Sequence, residues 1–61
     1  MIAFAQQIKQ WRKSKGLLQK EAADILQVSY GAWRSWERGK KTPRKVASLS
    51  IEEIQRRMDD V

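Results

Sequence analysis

Apolar residues recur along this chain three and four positions apart rather than two, the period of helices with one buried face. Phe4, Ile8 and Trp11 form one such stripe and predict a first helix over residues 3–14. Lys13 and Lys15 complement the negative end of its dipole, and Gly16 is placed to end it in the left-handed conformation. A short second helix is predicted over residues 19–26, burying Ala22, Ala23 and Leu26, with Ile25 a further candidate. Gln27, Val28 and Ser29 read as a tight turn. Ser29 is then a good N-cap for a third helix over residues 30–38, stopped by Gly39.

Beyond Gly39 two signals compete. Pro43 suits the first position of a helix, with Thr42 as its cap, and Ala47, Ile51, Ile54 and Met58 then fall on one stripe flanked by Val46 and Leu49. Against this, Ser50-Ile51-Glu52-Glu53 has the form of a capping box and could open a separate helix. One continuous helix over residues 43–58 is preferred, because the stripe crosses Ser50 without losing phase. The expected fold is all-α and compact, a single domain over residues 1–61. It has four helices, or five if Ser50 opens its own.

Size and composition narrow the chemistry. A chain of 61 residues buries only roughly 60% of its unfolded surface, so pairing with a second copy is a physical expectation. With no cysteine and no histidine, disulfides, thiolate nucleophiles and the usual zinc sites are excluded, and no metal or other cofactor is expected. The adjacent acids Glu52-Glu53 and Asp59-Asp60 are neighbours in sequence rather than carboxylates converging across a cleft, so an enzyme is not expected. No apolar run approaches the ~20 residues of a membrane span, and Met1-Ile2-Ala3-Phe4-Ala5 is too short for a signal-peptide core, so a cytoplasmic protein is expected. The net charge is +6, and its distribution matters more: residues 1–45 hold eleven basic and three acidic side chains, residues 46–61 two basic and four acidic. A basic body with an acidic end fits one surface for a polyanion and another for something else.

Two short helices joined by a three-residue turn, the second opening on a Ser cap, have the layout of a DNA-reading unit. The run Gly16-Leu17-Leu18-Gln19-Lys20-Glu21-Ala22-Ala23-Asp24-Ile25-Leu26-Gln27-Val28-Ser29 resembles the phage repressor and Cro class, the XRE-like family. Trp36-Glu37-Arg38-Gly39-Lys40-Lys41-Thr42-Pro43 is similar to the same family after its recognition helix. The resemblance covers residues 8–43 in unbroken register and extends towards Ile54. It implies a lambda-repressor-like helix-turn-helix domain, with the motif at about residues 19–38. It also implies an Arg12–Glu37 ion pair locking the third helix to the first. Two positions depart from the family pattern. Leu18 stands where Thr or Ser is usual, which removes a side-chain cap worth about 1 kcal/mol. Gln27 replaces the usual turn glycine and must either adopt positive φ or relax the turn.

If the third helix reads DNA, setting Trp33 inward at about 100° per residue puts Gly31, Arg34, Ser35 and Arg38 on its outer half. Ala32 then lies at the edge and Tyr30 at the exposed start. Arg34 is the first choice for base readout, since a guanidinium can pair bidentately with guanine. Tyr30, Gly31, Ala32 and Ser35 complete the expected reading set: Ser35 as a versatile donor and acceptor, Ala32 against a thymine methyl, Gly31 by close backbone approach, and Tyr30 at a base or phosphate. The resemblance places Gln19 and Ser29 at phosphates. Arg38, Lys40, Lys41 and Arg44 are expected to grip the backbone beside the groove. Trp33 and Trp36 are read as packing residues rather than base-stacking platforms, with half exposure left open for Trp36.

The reading that results is a transcriptional regulator of double-stranded DNA, phage or bacterial and Cro-like. It is expected to be a homodimeric autorepressor on an inverted-repeat operator, with Ile51, Ile54 and Met58 at the dimer seam. These residues leave no room for a ligand-sensing domain, so no small-molecule ligand is expected and control is expected to follow protein concentration. The rival is an antitoxin-like or phage accessory module whose C-terminal helix binds a partner protein.

Overall fold

The computed structural model describes residues 3–43 and 50–61. In it the chain forms α1 (Phe4–Ser14), α2 (Gln19–Leu26), α3 (Tyr30–Glu37) and α4 (Ile51–Asp59). The first three fall where the apolar period places them. Each also ends the same way, with a left-handed residue that lets the following N–H reach back five positions. Gly16 (φ 69°) precedes Leu17 N–H donating to the Arg12 carbonyl at 3.1 Å, and Gly39 (φ 74°) precedes Lys40 N–H donating to Ser35 at 3.0 Å. Between them Gln27 does the same work at φ 61°, with Val28 N–H donating to the Ala23 carbonyl at 2.9 Å. Of the two outcomes open to Gln27, the chain takes positive φ, a conformation that carries a steric cost for any residue with a Cβ.

The core is one cluster: Ile8 from α1, Ala22, Ala23 and Leu26 from α2, Trp33 and Trp36 from α3, and Ile54 and Met58 from α4. Phe4, Trp11, Leu17, Val28 and Ala32 pack around it. Ala23 is fully buried between helices, where its small side chain lets α2 and α3 approach closely. Phe4 meets Trp36, and Trp11 meets Trp33, both edge-to-face with ring centroids 6.1 and 6.2 Å apart.

Several expectations need correction. Ile25 remains 43% exposed, because Ala22, Ala23 and Leu26 already fill the α2 contact and Ile25 falls on its margin. Trp36, read as a packing residue with half exposure left open, is buried, since Phe4 of α1 closes over it. The helix expected to run unbroken over residues 43–58 does not do so. Thr42 and Pro43 belong to no helix, and α4 starts at Ile51 after an extended Ser50 (φ −151°, ψ 168°). The Ser50 hydroxyl accepts from Glu53 N–H at 3.1 Å, so the local cap prevails over the continuity of the stripe. Arg44, Val46, Ala47 and Leu49 lie outside the described residues.

Of the residues expected at a seam, Ile54 and Met58 are buried in the chain's own core, while Ile51 is half buried. Helix α4 docks through polar contacts too. Arg57 donates to the Leu26 carbonyl at 2.9 Å, supplying a partner to the open C-terminal end of α2, and Gln55 donates to Gln7 of α1 at 3.0 Å.

Candidate nucleic-acid interface

Helix α2, the turn Gln27-Val28-Ser29 and helix α3 form the unit on which the expected site residues sit. Leu18 provides no side-chain cap for α2, as the sequence implies. The loss is partly offset from the other side, because Glu21 reaches back to accept the Leu18 N–H at 2.8 Å. Ser29 caps α3 through its hydroxyl, which accepts from Ala32 N–H at 3.1 Å. A hydroxyl accepting in this way still has its own proton to donate outward.

The orientation of α3 is set by one buried acid. Glu37, 5% exposed, accepts from three helices at once. Arg12 of α1 donates from Nε to Oε2 at 2.6 Å and from Nη2 to Oε1 at 3.2 Å; Gln19 of α2 donates to Oε1 at 3.2 Å; and Trp33 of α3 donates from its indole to Oε2 at 2.5 Å. Burial works against the charged carboxylate, but the hydrogen bonds from Arg12, Gln19 and Trp33, with the charge of Arg12, hold its pKa below the usual value. Arg12 also donates to the Leu17 carbonyl at 2.9 Å, tying the α1–α2 turn into the same network. The implied Arg12–Glu37 pair is thus present, and it is the centre of a larger arrangement. The additional members, Gln19 and Trp33, were missed in the sequence. For Trp33 the signal existed, since it lies four residues before Glu37 on one helix face. For Gln19, 18 residues away, there was none.

Gln19 is therefore already engaged inward, with one amide N–H on Glu37 and the other left for a further acceptor. The remaining expected residues of α3 lie outward as the helical period requires. Tyr30, Gly31, Arg34 and Arg38 are exposed, and Ala32 and Ser35 are partly covered. Space around Gly31 is open, with no atom within 4 Å of where a Cβ would stand. Arg34 lies over the Tyr30 ring, its Cζ 5.4 Å from the centroid. After α3, Lys40 and Lys41 are both exposed, their N–H groups turned back to the Ser35 carbonyl at 3.0 and 3.4 Å. That turn carries two positive charges beside the outer face of α3. Arg44, the fourth expected backbone contact, lies outside the described residues.

Trp33 and Trp36 are both in the core, so neither offers a face to a base. Among the described residues no group of His, Cys, Asp and Glu is arranged to hold a metal ion, and no helix is long and apolar enough to cross a membrane.

The profile of the helix-turn-helix family matches residues 8–54. No curated protein and no solved structure gives a significant match to the chain. The family match begins within α1, takes in the Glu37 network and the whole of α3, and extends into α4. Spanning well over half of the sequence, it shows that the chain belongs to the XRE-type helix-turn-helix family of DNA-binding regulators.

Proposed function

We propose that this protein is a sequence-specific transcriptional regulator, a homodimeric autorepressor that sets α3 of each subunit into successive major grooves of an inverted-repeat operator. The observation that carries the reading is the exposed outer face of α3, presented on a helix whose angle is fixed by Glu37. An α-helix fits the major groove of B-DNA, and only its outward side chains reach base edges. Arg34 reads bases, with guanine the best match to its fork; Ser35, Ala32 and Gly31 lie against the neighbouring base edges. The Gln19 amide, the Ser29 hydroxyl, Arg38, Lys40, Lys41 and Arg44 bind phosphates and set the register without specifying sequence. A chain of this kind acts in the cytoplasm, on the nucleoid. With Ile54 and Met58 committed to the core, the second copy pairs through the remaining surface of α4 around Ile51.

The alternative is a protein-interaction module. It finds support in Ile25 and Val61, 43% and 52% exposed, which border a cleft of about 300 Å³ between the end of α2 and α4. That cleft is also lined by Glu53, Arg56, Arg57 and Asp60, whose charges are already paired with one another. The DNA reading is therefore favoured.

Selection from a pool of random duplexes near physiological salt tests it. An enriched inverted repeat, with half-sites about 34 Å apart, is expected. Binding without an enriched sequence, lost as salt rises, would reduce α3 to a generic polyanion surface. A direct, non-palindromic footprint would remove the twofold dimer.

A further inference from the structure

We propose that Tyr30 is a positioning residue: it holds the Arg34 guanidinium in the plane from which it reads its base pair, and does so without contacting that pair. This rests on the reading of α3 as the base-contacting helix. Tyr30 and Arg34 are one turn apart on α3, and side chains on a helix lean towards its N-terminus, so Arg34 projects back over the Tyr30 ring. The guanidinium carbon lies 5.4 Å from the ring centroid, within the range of a cation–π contact. That end of a recognition helix is the one that meets base edges.

Three of the other arginines of the fold show what the ring contact accomplishes; exposed Arg38 has neither a carboxylate nor a ring partner among the described residues. Arg12 spends its fork on Glu37 and the Leu17 carbonyl, Arg56 on Glu53 and Asp60, and Arg57 on Glu53 and the Leu26 carbonyl. Arg34 has no carboxylate partner among the described residues. A carboxylate would fix its plane but occupy the N–H donors that base recognition needs. An aromatic face fixes the plane and leaves all five donors free. Tyr30 is itself 45% exposed, and the open space at Gly31 leaves the outer face clear beside the stacked pair.

The test uses the full chain and the duplex enriched by selection, with competitors changed at each base pair of a half-site. Tyr30→Phe keeps the ring and should keep the preference at the Arg34 base pair. Tyr30→Leu should reduce that preference about two- to five-fold, the range for an exposed cation–π contact, and leave other positions unchanged. In an Arg34→Ala background, Tyr30→Leu should add nothing. An equal loss at every position, or a loss in Tyr30→Phe as large as in Tyr30→Leu, would overturn the proposal in favour of a direct phosphate contact by the hydroxyl. If Arg34→Ala itself alters no base preference, the failure lies with the reading of α3.

Discussion

Arg12 clasps Glu37 with both branches of its guanidinium, Nε to Oε2 at 2.6 Å and Nη2 to Oε1 at 3.2 Å, joining the end of α1 to the end of α3. The two side chains are 15% and 2% exposed, so neither charge can be left to water if the other is removed. Arg12→Ala is therefore expected to cost about 3–5 kcal/mol, measured by denaturant unfolding followed through the tryptophans.

The same pair predicts an acid limb in the stability profile. The folded-state pKa of Glu37 lies below its ordinary value of 4.5. Its contribution is then fully present above that ordinary value and is lost as pH falls through the lower, folded one. Glu53, drawn down to about 2 by hydrogen bonds from Arg56 and Arg57, acts in the same direction. Glu37→Gln should lose about 3 kcal/mol at neutral pH, with the gap to the native chain narrowing below pH 4.5. A gap that stays constant down to pH 2 would mean that the carboxylate charge contributes nothing.

Ile54→Ala should destabilise the chain by about 2–5 kcal/mol, the usual cost of emptying a buried isoleucine site. Because Ile54 is inside a single subunit, the loss should be the same in dilute and concentrated protein. A loss that appears only at concentrations where the chain pairs would return Ile54 to the subunit seam.

Gly31→Ala separates folding from binding. Glycine inside a helix costs about 1 kcal/mol relative to alanine, and nothing stands within 4 Å of the added Cβ, so thermal stability should rise. Operator affinity should fall at the same time if the α3 backbone approaches DNA closely there. A variant that is more stable and binds equally well would show that Gly31 has no such role.

Arg34 and Lys41 should fail differently. Lys41→Ala should weaken binding to every duplex alike and shallow the logarithmic salt slope by roughly one unit. Arg34→Ala should relax preference at one base pair per half-site. Identical behaviour of the two in competition assays would remove the division between positioning and reading.

The pattern of residues determined a good deal here. Rules that act over three to five positions determine where helices start and stop, and they placed α1, α2 and α3, the left-handed residue at Gly16, the stop at Gly39 and the Ser29 cap; the structure decided between the two outcomes open to Gln27. The Arg12–Glu37 pair was legible because the family resemblance carries it. Periodicity was less reliable at α4. It names the face that a helix would bury but not where the backbone leaves the helix, and the hydroxyl of Ser50 decided that locally.

What remained hidden depends on how helices cross. Gln19 reaches Glu37 across 18 residues, Arg57 reaches Leu26 across 31, and Gln55 reaches Gln7 across 48. An apolar stripe such as Ile51, Ile54 and Met58 looks the same whether it faces a partner or its own core. Only the docking of α4 against the rest of the domain assigned Ile54 and Met58 inward, because burial is a property of the assembled helices and not of the stripe.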